Sequence, residues 1–306
     1  MSLSTTLAGF DLKSCLMNAS GCYCSTHNQL DQLSTSLSGT IVTKSGTIHY
    51  REGNSMPRMH FDEYGSINSI GLANPSYKYY MDYKTPKPYI QSIYPFSLQD
   101  LSVMLTNINK KSKCLIEVNL SCPNVHDNNY FEEYNKYFDL ITQLRVDNLT
   151  IGIKLAPIFD INYYQEIGHM LLKNNIKFIT CCNSLPNGLM VNYVTEQTMI
   201  RPNYGLGGIS GLYAKPISLA NVYNFNRVLN DKIDIIGCGG IKTGTDVFEY
   251  ILCGAKAVQI GTQLIKEGVE CFDRIDTELN IVLNSKGYKH INDFRGKIMV
   301  CGSAKL

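Results

Sequence analysis

Short runs of apolar, mostly β-branched residues alternate along this chain with longer segments whose apolar residues recur every three or four positions. The short runs are residues 16–19, 40–44, 89–93, 115–121, 150–155, 178–183, 233–239 and 257–261. Parallel strands covered on both faces have no solvent-facing side, so they read as apolar throughout rather than as alternating. Between them, Leu98, Leu101, Met104, Leu105 and Ile108 fall on one helical face, as do Tyr134, Tyr137, Phe138, Ile141 and Leu144, and again Val247, Phe248, Ile251 and Leu252. Val269, Phe272, Ile275 and Leu279 mark a closing helix before Gly287. Eight strands alternating with helices predict an α/β fold, a (β/α)8 TIM barrel, ahead of a doubly wound open sheet. Residues 45–81, rich in Gly, Asn, Pro and Tyr, are too long for a turn and read as a long loop inserted after the second strand. With no internal repeat, low-complexity tract or linker, residues 1–306 read as a single domain.

Composition narrows the partners. A chain that is 44% hydrophobic and 18% charged has enough apolar surface to order itself, and a net charge of +2 without Lys/Arg blocks argues against nucleic acid or a polybasic membrane surface. Eleven cysteines cannot all pair within one chain, and they lack the dense spacing of a secreted disulfide scaffold. The first residues show no basic segment followed by an apolar one, and no run approaches the ~18 apolar residues that span a bilayer. The expectation is a soluble protein of the reducing cytoplasm.

In a barrel the chemistry gathers where strands end. Here the strand ends carry Asn18-Ala-Ser-Gly21, Lys44-Ser45, Asn119-Leu-Ser-Cys-Pro-Asn124, Lys154, Asn183-Ser184, Gly237-Cys-Gly-Gly240 and Gly261-Thr262. Glycines at the last two junctions would let a phosphate approach backbone N–H groups beside helix N-termini, although short βα turns need such residues too. Cys122 follows a strand and is flanked by Asn119 and Asn124, whose amides suit a planar polar substrate. A thiol near pKa ~8.5 becomes a usable base in a modest positive field, which Lys44 and Lys154 could supply; a buried structural cysteine is the alternative. Cys22, Cys24 and His27 lie close in sequence but lack a second pair at zinc-site spacing, so no metal is expected. Cys181-Cys182 lies within an apparent strand, where neighbouring side chains diverge. The run from Gly205 to Gly211 lacks the third glycine of a dinucleotide fingerprint and reads as an anion-friendly loop.

Together, Met17-Asn-Ala-Ser-Gly21, Thr43-Lys-Ser45, Arg51-Glu-Gly-Asn54, Gly65-Ser-Ile-Asn-Ser-Ile-Gly-Leu72, Asn119-Leu-Ser-Cys-Pro-Asn-Val125, Asn183-Ser184, Gly237-Cys-Gly-Gly-Ile241 and Gln259-Ile-Gly-Thr262 resemble the dihydroorotate dehydrogenases, and among them the soluble class 1A branch. The resemblance runs through nearly the whole chain in order. It implies an FMN-containing barrel, usually a homodimer, that oxidises dihydroorotate to orotate in pyrimidine synthesis and passes the electrons to fumarate, giving succinate. Residue by residue it implies Cys122 as the base, with Lys44 beside it. Lys44, Asn68, Asn119, Asn124, Asn183 and Ser184 would hold the substrate, with backbone groups of Ile70, Gly71 and Leu72 closing the pocket. FMN would contact Ala19, Ser20, Gly21, Lys44, Ser45, Asn119, Lys154, Cys182, Gly211, Cys238, Gly239, Gly240, Gly261 and Thr262. After Val125 the chain reads His126-Asp-Asn-Asn129 where the family commonly has Pro-Gly-Lys-Pro, and Ile70 stands where methionine is usual. The nearest alternatives are an NAD-linked dihydroorotate dehydrogenase that needs a second subunit and another FMN enzyme of dihydropyrimidines. A non-flavin phosphate-binding barrel and a non-catalytic relative are the alternatives from other classes.

Overall fold

The computed structural model describes residues 2–110, 114–121 and 130–302, apart from the side chains of 130–133. All eight expected strands form, each end within two residues of the expected one: β1 (Leu16–Asn18), β2 (Ile41–Val42), β3 (Tyr89–Ile93), β4 (Cys114–Asn119), β5 (Leu149–Lys154), β6 (Phe178–Cys181), β7 (Asp234–Cys238) and β8 (Ala257–Ile260). They lie in one sheet in the order β1, β8, β7, β6, β5, β4, β3, β2, every neighbouring pair parallel. A parallel bridge from Met17 to Thr40 brings the two ends together and closes the barrel.

The helical periodicities also hold, as Leu98–Asn109, Tyr130–Gln143, Gly244–Leu252 and Cys271–Lys286. Their buried faces, including Leu101, Met104, Leu105, Phe138, Val247, Ile251, Phe272 and Ile275, pack against outward-facing strand residues such as Ile93, Val118, Ile153 and Val258. Three further helices, His27–Thr35, Tyr163–Lys173 and Lys215–Leu229, complete the outer layer.

One end of the barrel is plugged. An N-terminal hairpin, Thr5–Leu7 with Phe10–Leu12, sends Leu7 and Leu12 against Met17, Val42, Ile90, Leu115, Phe178, Ile236 and Ala257 from seven of the strands. The eighth, β5, supplies Gly152 at that level, where a Cβ would lie 2.3 Å from the Phe178 ring. Sealing the amino ends of the strands leaves the carboxyl ends as the open mouth.

Two excursions roof that mouth. Residues 45–81, expected as a loop, contain strands Met59–Phe61 and Gly65–Asn68 and the short helix Tyr77–Met81. Residues 205–211, expected as a loop as well, are largely a strand, Leu206–Gly211. It joins Leu185–Leu189, Gly65–Asn68 and Met59–Phe61 in a four-stranded antiparallel sheet. The glycines there serve close backbone approach: a Cβ on Gly65 would lie 2.1 Å from the Ser210 carbonyl oxygen.

Candidate active site

Period-two alternation decides what the barrel interior presents. On β4, Leu115 enters the apolar plug, so Glu117 and then Asn119 occupy successive levels toward the mouth. The register pairs Ser92 with Glu117 and Asn119 with Lys154, and Thr180 on β6 with Lys154 on β5. Polar side chains therefore collect directly above the plug.

Above them opens a cavity of about 910 Å³. Its lining contains every expected site residue within the described part of the chain. Lys44, Ser45, Asn119 and Lys154 come from the strand ends, joined by Ala19, Ser20 and Gly21 after β1. Asn68, Ile70, Gly71 and Leu72 come from the first excursion, Asn183 and Ser184 from the turn after β6, and Gly211 from the roof sheet. Cys182, Cys238, Gly239, Gly240, Gly261 and Thr262 complete the side formed by β6, β7 and β8. Cys122 and Asn124 lie outside the described residues.

The two lysines differ in their surroundings. Lys154 is buried, and its Nζ donates to Gln259 Oε1 at 3.4 Å. Desolvation works against its ammonium, but the neighbouring Cys238 and the Glu117 carboxylate outweigh it and hold the pKa above the ordinary lysine value. Desolvation also dominates at Lys44 and, with Lys154 nearby, draws its pKa below the ordinary value. The surrounding thiols are not poised as nucleophiles: burial raises Cys22 and Cys182 to about 12. Cys22 and Cys24 do not join His27 at a metal centre, and the imidazole Nε2 instead lies 3.1 Å from the Tyr79 carbonyl oxygen. Among the described residues no three His, Cys, Asp or Glu side chains converge on one point.

At the β7 and β8 end, the backbone has the shape of an anion cradle. Gly239 and Gly240 take φ of 138° and 69°, and a Cβ on Gly240 would meet Lys215 Cβ at 2.6 Å and the Gly211 carbonyl oxygen at 2.7 Å. The next helix, Gly244–Leu252, begins in a capping box in which Thr243 and Asp246 satisfy each other's backbone N–H groups.

This geometry meets a matching sequence relationship: residues 2–283 match the dihydroorotate dehydrogenase family. The chain belongs to that family. Proteins bearing the name dihydroorotate dehydrogenase A (fumarate) are 42% identical to it in Streptococcus agalactiae, over 97% of this chain and 99% of the relative, and 42% identical in Streptococcus pneumoniae, over 97% and 98%. A crystal structure of the Eimeria tenella dihydroorotate dehydrogenase with ferulenol superposes with a TM-score of 0.77, covering 96% of this chain and 88% of that one at 18% identity, which establishes the shared fold.

In this dihydroorotate dehydrogenase fold a polar layer lies beneath the cavity that no sequence motif marks. Glu117 is fully buried and accepts from Ser92 Oγ at 3.0 Å, Thr180 Oγ1 at 2.8 Å and Gln259 Nε2 at 2.8 Å. Ser121 donates to Asn119 Oδ1 and accepts from Asn183 Nδ2. The available signal was a charge within an otherwise apolar strand, since such a group persists in a core only when it is fully hydrogen-bonded.

Proposed function

We propose that the protein is a fumarate-linked dihydroorotate dehydrogenase that binds FMN and oxidises (S)-dihydroorotate to orotate in pyrimidine biosynthesis. The observation that carries this reading is the gathering of two lysines, three asparagines and a glycine cradle in a single cavity of about 910 Å³. The residues suit the cofactor. Gly239 and Gly240 offer backbone that no Cβ obstructs, and the Lys154 ammonium favours the electron-rich reduced ring. When bound, the flavin supplies a two-electron acceptor for the hydride from C6 of the substrate.

The protein's own residues do the rest. Lys44 receives the substrate carboxylate, and Asn68, Asn119 and Asn183 hold the ring amides so that C5 and C6 keep a fixed orientation. Ser184 and the backbone of Ile70, Gly71 and Leu72 exclude water from the exposed side. Cys122, with Asn124 two residues on, takes the C5 proton as general base. Fumarate, itself a small dicarboxylate, suits the same lysine and amide set, and Cys122 returns the proton as succinate forms. The reading carries with it a cytoplasmic homodimer.

Purified protein should be yellow. Adding dihydroorotate without oxygen should bleach the flavin, and adding fumarate should restore the colour. Bleaching without recovery would move the assignment to the NAD-linked branch, and colourless protein that takes up no FMN would refute the flavin reading. Cys122→Ala should keep its colour but bleach at least ~100-fold more slowly.

A further inference from the structure

In the turn after β7, one peptide has its direction set from below. Tyr250, on the helix Gly244–Leu252, is fully buried, and its ring packs so closely under β7 that a Cβ on Gly237 would lie 2.3 Å from Tyr250 Cδ1. The phenol beyond that ring donates to the Gly239 carbonyl oxygen at 2.5 Å. Burial pushes its pKa well above the ordinary tyrosine value, so it remains a donor. A planar trans peptide points its C=O and its N–H in opposite directions. With the Gly239 carbonyl drawn toward the buried ring, the Gly240 N–H of the same peptide faces away from it, toward the cavity that both glycines line. Among the described residues no backbone group accepts from that N–H, whereas the next amides, of Lys242 and Thr243, are both taken by the Asp246 carboxylate.

We propose that Tyr250 is a positioning residue for the cofactor phosphate: its hydroxyl holds the Gly239–Gly240 peptide with the N–H aimed at the anion. The assignment rests on the flavin reading and extends it to a side chain that does not itself line the cavity. A peptide between two glycines needs such a hold, because glycine accepts either sign of φ and the peptide can turn over at little steric cost. Without the phenol hydroxyl, the Gly239 carbonyl would be left unpaired against the ring, and turning over would relieve it. The turned peptide would present a carbonyl oxygen to the phosphate in place of an N–H, and two acceptors repel.

The test uses the full chain stripped of flavin and compares FMN with riboflavin, which lacks only the phosphate, by the change in flavin fluorescence on binding. Tyr250→Phe keeps the ring and removes the hydroxyl. It should bind FMN about tenfold more weakly, the scale of a hydrogen bond to a charged group, with riboflavin within twofold of the parent. A purely structural role would lower thermal stability and weaken both flavins alike, so a ratio of FMN to riboflavin affinity within twofold of the parent would overturn the proposal. If the variant does not fold, the parent decides. Glycine labelled at its carbonyl carbon and its nitrogen isolates the amide signals of Gly–Gly peptides, of which the chain has two, 207–208 and 239–240. The Gly240 amide proton should move downfield when FMN replaces riboflavin, while Gly208, paired with Asn68 in the roof sheet, stays in place. An unmoved Gly240 amide would equally overturn the proposal. A parent that binds neither flavin would refute the flavin reading and this proposal with it, whereas a parent that binds FMN beside a variant of unchanged ratio refutes this proposal alone.

Discussion

Desolvation makes the ammonium of Lys44 less stable than that of a free lysine, so it loses its proton at a lower pH. A carboxylate ligand held by Lys44 should therefore bind most tightly near neutrality and weaken with rising pH, before free lysines titrate at ~10.4. Lys44→Met should reduce orotate affinity roughly 10- to 100-fold at neutral pH, the scale of a charged hydrogen bond, and should flatten the alkaline limb. Titration calorimetry at several pH values tests both, and an unaltered limb in the variant would assign it to another group. The cysteines behave in the opposite sense. The ten described thiols are unpaired, and burial raises most of them, Cys15 for example to about 12, so they are protonated at pH 8. Cys301 is exposed. Native protein treated with a thiol-specific chromophore should thus lose one fast equivalent when Cys301 is replaced by Ser. The buried thiols should react only after unfolding, and rapid reaction of most of them would contradict the packing described.

At the scale of elements, legibility followed the physical origin of each one. The barrel strands could be read because burial on both faces writes itself as an unbroken apolar run, and the helix Leu98–Asn109 because one buried face recurs at three and four residues. The roof sheet could not. Leu206–Gly211 is half glycine, and what makes it a strand is pairing with Gly65–Asn68, residues far away in sequence that approach too closely for side chains. The site was legible where function demanded polar groups at strand ends. The layer of Ser92, Glu117, Thr180 and Gln259 was hidden because each looks like an isolated exception until the barrel register unites them. Glycines separate in the same way. Gly240 is needed for both φ and space, whereas Gly287 caps the helix Cys271–Lys286 at φ 74° with nothing within 4 Å of a Cβ. Gly287→Ala should cost only the backbone penalty of about 1 kcal/mol. Gly240→Ala should cost about 2–3 kcal/mol and also weaken FMN retention, since Lys215 and the Gly211 carbonyl must move. Urea unfolding compares the two, and equal costs would show that close approach is not what selects Gly240.

At the scale of the whole molecule, the roof sheet has one end that faces solvent with apolar side chains. Leu189 and Leu206 are register partners there, and Val191, Tyr193 and Val194 follow on the adjoining hairpin, Tyr193 being 88% exposed. Tyr204, 97% exposed, precedes Leu206 in the chain. A patch of this kind is uncommon on a protein that remains alone, and exposed tyrosines supply large contact area at low entropic cost. The homodimer expected from the family resemblance would cover it, because a two-fold axis brings the same patch of both subunits together. Leu206 and Asn203 also line the cavity, so contacts across such an interface would brace the roof above the substrate. The parent should sediment at twice the chain mass at micromolar concentration. Tyr193→Glu combined with Tyr204→Glu should sediment as a monomer, since it places four carboxylates at the shared face. That variant should keep its flavin, because each residue assigned to the cofactor comes from one chain, but should bind orotate more weakly as the roof loosens. A parent that stays monomeric, or a variant that stays dimeric, would move the interface to another face.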